Sequence, residues 1–229
     1  TELPNVAPVI TVNPAASPNP VSGTTTALSV LASDADDGES ALTYLWNTTS
    51  KPAGAADPSF SDNATNAAKS AEVTFYQAGS YTFDVIVSDG EASVTSSVSV
   101  NVSVEQTPTD LVVSPEDAWV YWNEQQQFES FLTDQFGDDI AQAANWAVEG
   151  GSGNGQISGA GLYTAPDGGT SATINATAGG LTASATVTLM EVAPLAPSGL
   201  TATANGPHGV TLDWTDNSSN ETEFRIESS

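Results

Sequence analysis

Short runs of alternating apolar and polar residues recur along the chain. Residues 98–104 (VSVNVSV) put four valines on one face and small polar residues on the other, and residues 81–88 (YTFDVIVS) alternate in the same way. This period of two is typical of a β-strand with one buried face. Residues 88–91 (SDGE) carry a hairpin-turn signal. Because no helical periodicity is sustained anywhere, the pattern predicts an all-β fold.

Two further strands are predicted upstream, over residues 28–32 (LSVLA) and 42–46 (LTYLW), on either side of the acidic segment 33–39 (SDADDGE). We interpret Trp46 as the central core aromatic of a two-sheet sandwich, since one large ring spans much of the roughly 10 Å between facing sheets. A sugar-binding role for Trp46 is the weaker alternative.

The first hundred residues resemble the polycystic-kidney-disease (PKD) type of immunoglobulin-like domain of bacterial secreted proteins. The resemblance rests on four motifs in order: residues 5–8 (NVAP), 32–36 (ASDAD), 42–46 (LTYLW) and 78–85 (AGSYTFDV). It implies a PKD/cadherin-like β-sandwich, which we predict over residues 1–106.

A second unit follows the short linker 107–109 (TPT) and resembles bacterial immunoglobulin-like group 2 repeats. The matching segments are residues 111–115, 128–137, 145–148, 159–166, 172–176 and 183–189. The resemblance implies a second β-sandwich, which we predict over residues 107–194.

The last segment, residues 195–229, resembles the N-terminal half of a fibronectin type III domain. Residues 196–200 (APSGL) match the opening of that family, and residues 210–217 and 221–227 match its second and third strands. Such a sandwich needs about seven strands, so the fold prediction is tandem immunoglobulin-like β-sandwiches, the last one incomplete. We expect this segment to be disordered, or else covered by another chain or by the second module at four side chains, namely Leu212, Trp214, Phe224 and Ile226.

Charge narrows the choice of partner. The 229 residues contain 28 Asp plus Glu against 3 Lys plus Arg, a net charge of -25. Nucleic acid and anionic membrane surfaces are disfavoured, since a phosphate would be repelled. Divalent cations are plausible ligands. Cysteine is absent, which excludes disulfides and thiolate metal sites.

Catalysis is disfavoured by the residue inventory. His208 is the single histidine, and residues 107–194 contain no Lys, Arg or His. The first two modules therefore cannot build a serine–histidine nucleophile or a histidine-bound zinc site. Apolar runs are far shorter than the roughly 20 residues that a membrane helix needs. We expect a non-enzymatic bacterial protein, secreted or at the cell surface, without membrane insertion.

A calcium site is the best-supported constellation. Asp34 and Asp36 lie in one predicted turn and Asp89 in another, with Asn5 at the entrance of the module. The PKD resemblance implies that these four residues are Ca²⁺ ligands, and calcium takes six to eight oxygen ligands. Asp37 and Glu39 are candidates for an additional carboxylate or a second ion. The alternative is that these acidic turns are simply solvated.

Residues 119–123 (WVYWN) stand where group 2 repeats usually carry small residues. Trp119 and Tyr121 share one strand face, and Val120 and Trp122 the other. If Val120 belongs to the core, the first two rings point outward, so Trp119, Tyr121 and Trp122 are the candidate ligand- or partner-binding residues. The alternative is that the rings cover the junction with the first module.

Two functions remain open. One is a non-catalytic structural or adhesive spacer of a surface or fibre-forming protein, stabilised by calcium, whose partner is a protein or glycan at the cell surface or a further copy of itself. The other is an accessory carbohydrate-binding region of a secreted polysaccharide-degrading enzyme.

Overall fold

A computed structural model describes residues 4–96, 98–219, 221 and 223–226. Strands dominate the described residues, and the remaining regular structure is three short 3-10 helices at Glu39–Ala41, Ala67–Lys69 and Ser152–Asn154. None of these helices has the length or the apolar character needed to cross a membrane. The predicted all-β fold is confirmed.

The first sandwich contains eight strands: β1 (Val9–Ser17), β2 (Thr25–Ser33), β3 (Thr43–Ser50), β4 (Ser59–Phe60), β5 (Ser70–Thr74), β6 (Gly79–Ser88), β7 (Ser93–Thr95) and β8 (Val100–Val104). One sheet has the order β1-β2-β5-β4. In the other, β6 pairs with β3, β7 and β8, all antiparallel. Apolar residues of both sheets alternate inward and form one continuous core.

Trp46 lies in this core, as predicted, and is 1% exposed. Its indole Nε1 donates a 2.8 Å hydrogen bond to the carbonyl of Ala68, which satisfies its one polar group. The rings of Phe75, Tyr81 and Phe83 pack against one another, with centroids 4.7 to 6.4 Å apart.

The predicted hairpin at residues 88–91 is confirmed, but it connects β6 to the short strand β7 and not directly to β8. Asp89 N–H donates to the carbonyl of Ala92, which closes the turn. Strand β8 begins at Val100, two residues later than the valine alternation indicates. The alternation of apolar and polar residues does not show that β7 pairs with β6 first and that β8 then pairs with another part of β6.

The following residues form β9 (Pro108–Ser114), β10 (Asp117–Tyr121), β11 (Gln125–Gln127), β12 (Glu129–Asp134), β13 (Asn145–Val148), β14 (Gln156–Ile157), β15 (Leu162–Thr164), β16 (Ser171–Ala178) and β17 (Leu181–Met190). They pair in the orders β10-β17-β16-β13, β11-β15-β14 and β12-β9. β10 runs parallel to β17, with Trp119 opposite Thr188 and Tyr121 opposite Met190.

By internal contacts, the chain divides into two compact units. The first comprises the described residues up to Val112 together with Ser130–Asn145 and Thr177–Ala183, and the second comprises Val113–Glu129, Trp146–Ala176 and the described residues from Ser184 onward.

The last segment forms an antiparallel hairpin of β18 (Ser198–Ala204) and β19 (Val210–Thr215). The segment was expected to be disordered or covered, whereas its two strands are paired with each other. The expected cover is not met within this chain, because Trp214, Phe224 and Ile226 are exposed. The Trp214 and Phe224 rings contact each other, with centroids 5.4 Å apart. The described residues of the predicted third strand, 221 and 223–226, form no strand, and Thr222 and Glu227 lie outside the described residues.

Candidate calcium site, aromatic face and joint

The acidic turn between β2 and the first 3-10 helix gathers three carboxylates. Asp34, Asp36 and Asp37 each place one carboxylate oxygen within 4.8 Å of the others. The backbone N–H groups of Asp36 and Asp37 both donate to Oδ1 of Asp34, each at 3.1 Å. These two bonds fix the Asp34 side chain in the turn and leave its other oxygen free to face a ligand.

The second acidic turn and the module entrance meet at the same end of the sandwich. Asn5 donates from Nδ2 to Oδ2 of Asp89 at 3.1 Å, and the N–H of Val6 donates to Oδ2 of Asp36 at 3.2 Å. The Asp89 charge also acts electrostatically on Asp34. The structure therefore brings together the four residues that the sequence singled out, and it adds Asp37.

Asp34 has one carboxylate oxygen without a hydrogen-bond partner. Its Oδ2 is shielded from solvent and accepts no hydrogen bond, the single such side-chain atom in the described part of the chain. An unpaired carboxylate oxygen in this position is costly. A cation is the partner that such an oxygen prefers, so the residues fit calcium.

The carboxyl groups of Asp34 and Asp36 contact each other, and their pKa values shift in opposite directions. The backbone N–H of Asp37, followed by the contact with the Asp36 side chain, lowers the pKa of Asp34. The same carboxyl–carboxyl contact raises the pKa of Asp36. The backbone N–H of Ala92 is the main cause that lowers the pKa of Asp89. Two neighbouring carboxyl groups whose pKa values move apart share a site that favours a proton or a cation.

Glu39, a sequence candidate for an added ligand or a second ion, is already paired. Both of its carboxylate oxygens accept from Nζ of Lys69 at 3.0 Å. Tyr44 and Asn66 also donate to Oε1, at 3.1 and 3.2 Å. The Lys69 bond is the main cause that lowers the pKa of Glu39. Its role in the structure is to hold the two 3-10 helices of the first sandwich together.

On β10, burial alternates as the sequence predicts. Val120 is buried at 4% exposure, whereas Trp119 is 68% and Tyr121 47% exposed. Trp122 is half-buried, and its Nε1 donates to the carbonyl of Gly169 at 3.1 Å. The first two rings therefore present open faces, and the third is tied to its own module.

A groove of about 450 Å³ runs beside the two exposed rings, and Glu124, Gln125 and Gln126 contribute polar side chains to it. Sequence reasoning missed these three residues. The signal lay in the turn after β10, where Asn123 has a positive φ of 65° and returns the chain toward β11. We call Trp119, Tyr121, Glu124, Gln125 and Gln126 the aromatic groove.

A second feature that the sequence did not reveal lies inside the first compact unit. The segment after β12 contacts the end of the first sandwich through the side chain of Gln135. Its Nε2 donates to the carbonyls of Glu105 at 2.6 Å and Gly23 at 3.3 Å, and its Oε1 accepts from the N–H of Thr107 at 2.7 Å. Phe136 packs against the core of the first sandwich.

Asp134 stabilises the turn that contains Gln135 through its hydrogen bonds. It is 1% exposed, yet its carboxylate accepts from the N–H groups of Phe136 and Asp138 and from Nε2 of Gln106. The hydroxyl of Thr107 in turn donates to the carbonyl of Ser22 at 2.7 Å. We call Gln106, Thr107, Asp134, Gln135 and Phe136 the joint. Thr107, in the predicted short linker, thus makes hydrogen bonds to both Ser22 and Gln135.

Comparison with known families supports one of the three resemblances. Residues 18–102 match the family model described as "K319L-like, PKD domain". The predicted PKD-like domain in the first module is therefore confirmed, and the group 2 and fibronectin type III resemblances stay predictions. No curated protein sequence matches the chain significantly.

Several solved structures are similar to the chain at low identity. The protocadherin GammaB4 extracellular domain has 15% identity and a TM-score of 0.49, over 82% of this chain and 35% of its own. Domains 4 and 5 of the S-layer protein SbsC have 14% identity and a TM-score of 0.35, over 82% and 99%. Mouse cadherin-23 EC22-24 has 13% identity and a TM-score of 0.44, over 82% and 67%. The chain thus spans about a third of the length of the protocadherin structure.

Proposed function

We propose that this chain is a non-catalytic, extracellular spacer with a structural or adhesive role, stabilised by calcium. The observation that carries the proposal is the joint. A flexible linker would leave Thr107 and Glu105 to water, whereas here Gln135 satisfies both backbone groups. A connection held by several hydrogen bonds resists local opening and keeps the segment after β12 against the end of the first sandwich.

Calcium is the second part of the proposal. Asp34, Asp36, Asp37 and Asp89 would supply carboxylate oxygens, and Asn5 its amide oxygen. When bound, the ion supplies charge neutralisation at a place where carboxylates repel one another. It would join the chain entrance to two separate turns and thereby stiffen that end of the first sandwich.

Location and partners follow from the same features. The PKD-like module, the net charge of -25 and the carboxylate cluster suit a secreted or cell-surface bacterial protein in calcium-containing surroundings. A surface protein or glycan would contact the exposed rings of β10, and self-association into a fibre is the other mode that tandem modules allow.

The joint is tested by limited proteolysis of the whole chain. In the unaltered protein, we expect the peptide bonds near Thr107 to resist a broad-specificity protease. Gln135→Ala removes three hydrogen bonds to the backbone of Gly23, Glu105 and Thr107. Each such bond contributes about 0.5–1.5 kcal/mol, so cleavage there should rise about tenfold or more.

The matched control is Gln142→Ala, because Gln142 is exposed on the same segment and its side chain makes no hydrogen bond in the described structure. It should leave the cleavage rate unchanged. If the unaltered chain were cut at this linker as fast as Gln135→Ala, the joint would not restrain the linker and the proposed role of the joint would be overturned.

A second candidate function is the accessory region of a secreted polysaccharide-degrading enzyme. The observation that favours it is the exposure of Trp119 and Tyr121 side by side on one strand. A catalytic domain encoded in the same reading frame would favour this function over a purely structural one.

A further inference from the structure

The aromatic groove combines exposed aromatic rings with polar side chains. Trp119 and Tyr121 project from alternate positions of β10, and their cross-strand neighbours on β17 are Thr188 and Met190. Residues two apart on a strand are about 6.6 Å apart along it. The two rings therefore form a row of separate apolar faces, which suits consecutive flat units of a chain ligand.

The polar side of the groove offers both hydrogen-bond donors and acceptors. Gln125 donates one amide N–H to the Thr164 hydroxyl at 3.1 Å, and Gln126 donates one to the carbonyl of Gln127 at 2.8 Å. Each amide has a second N–H, and the two amide oxygens and the Glu124 carboxylate are acceptors. Hydroxyl groups, which both donate and accept, match this set of groups.

Charge excludes one class of ligand. Residues 107–194 contain no Lys, Arg or His, and Glu124 lies in the groove. A sulfated or uronic acid polysaccharide would meet a carboxylate and no cation. The ligand must therefore be free of negative charge.

The groove is also held in shape before any ligand arrives. The N–H of Glu124 donates to the carbonyl of Tyr121 at 3.0 Å, and the N–H of Trp122 donates to the carbonyl of Met190 at 3.0 Å. The backbone of the strand end and of the turn is thus anchored, which lowers the entropy lost on binding. The volume of about 450 Å³ lies in the ordinary range for small-ligand sites.

From these observations we infer that the aromatic groove binds a neutral polysaccharide chain. The flat faces of pyranose rings stack on Trp119 and Tyr121, and the sugar hydroxyls donate to the acceptors on Glu124, Gln125 and Gln126. A basic peptide shares the donors and would also stack on the rings. It is disfavoured because Glu124 is the single carboxylate among the groove-lining residues, which gives little charge complementarity.

This inference rests on the proposed adhesive role and names the partner class of that same face. It depends neither on the joint nor on calcium. Its failure would therefore leave proteolysis at Thr107 and calcium calorimetry unaffected, and the two proposals fail separately.

The test titrates the whole chain with four neutral hexasaccharides and monitors binding by calorimetry and by tryptophan fluorescence. The four are β-1,4-linked glucose, β-1,3-linked glucose, xylose and mannose hexasaccharides. Alginate oligosaccharide and hexalysine are the charged probes. We expect at least one neutral hexasaccharide to bind with an affinity that is unchanged at about 0.5 M NaCl, and alginate not to bind. Trp119→Ala should weaken that binding about tenfold or more.

Phe131→Ala is the matched control, because Phe131 is likewise exposed, at 48%, but lies outside the groove. It should bind as the unaltered chain does. Absence of binding by all four hexasaccharides would overturn the inference. So would binding of hexalysine alone with loss at high salt, which would assign the groove to a cationic partner.

Discussion

At the scale of single residues, Gln135 makes three hydrogen bonds that hold the segment after β12 against the end of the first sandwich. The burial of Trp46 and the outward rings at 119 and 121 follow from strand alternation, and the approach of Asp34 to Asp36 follows from their place in one turn. Gln135 could not be found in this way, since one of its partners, Gly23, is 112 positions away. Nothing near residue 135 marks it as different from the other glutamines of the chain.

Glu39 gives a prediction for pH dependence. Its pKa is lowered in the folded protein, mainly by Lys69, so its stabilising contribution is present above the unfolded pKa of about 4.3. That contribution is lost as the pH falls through the folded pKa. We expect Glu39→Gln to lower the Tm of the first sandwich by a few degrees near neutral pH, and the difference from the unaltered chain to vanish in acid.

Thermal unfolding at a series of pH values in the presence of a chelator measures this effect separately from calcium. Asp57→Asn is the control, since Asp57 forms a 2.6 Å ion pair with Lys51 while its side chain is 85% exposed. Such exposed pairs add little. A Tm difference for Glu39→Gln that persists unchanged in acid would show that the carboxylate charge is not the cause.

At the scale of elements, the strands were largely predictable and their pairings were not. Alternation places residues 98–104 in a strand but does not reveal that β7 precedes it. It also does not reveal that β10 pairs in parallel with β17, because pairing depends on contacts between residues about 70 positions apart. The aromatic groove follows from that pairing and from the turn at Asn123, so its rings were predicted and its polar side was not.

One turn of the second sandwich depends on a glycine. Gly161 has a φ of +80°, and a Cβ there would lie 2.3 Å from the backbone oxygen of Phe128. Gly161→Ala should destabilise the chain by roughly 1–3 kcal/mol, because both the backbone angle and the close approach forbid a side chain. Chemical denaturation measures the loss.

Gly159→Ala, in the same turn, is the control for that substitution. A Cβ at Gly159 meets nothing within 4 Å, so this change should be neutral or slightly stabilising. Equal losses for the two variants would contradict the close approach to Phe128.

At the scale of the whole molecule, composition predicted the all-β class and the PKD resemblance identified the first module. The final segment, residues 195–229, differs from what its sequence predicted. It was expected to be disordered or covered, and the structure has a hairpin in which the Trp214 and Phe224 rings contact each other at an interplanar angle of 57° and most apolar side chains are exposed. Local backbone pairing is enough to define β18 and β19, whereas the cover for their apolar face depends on contacts that this sequence does not specify.

Calcium binding to the first sandwich is the most direct test of a calcium-stabilised spacer. Free calcium at about 100 times its dissociation constant stabilises a fold that binds one ion by about 2.7 kcal/mol. For a domain of this size, that shifts Tm by roughly 10–20 °C. Asp34→Asn keeps the shape of the side chain but removes the oxygen charge that lacks a partner, so it should abolish most of the shift. Asp62→Asn, at an exposed position of the same sandwich, should not.

The measurement is calorimetry of the whole chain, with isothermal titration of calcium into chelator-treated protein and thermal scans with and without the ion. We predict measurable heat for one ion, or for two if Asp37 takes a second, and a higher Tm for the unaltered chain and for Asp62→Asn. No heat and an unchanged Tm in the unaltered chain would contradict the account.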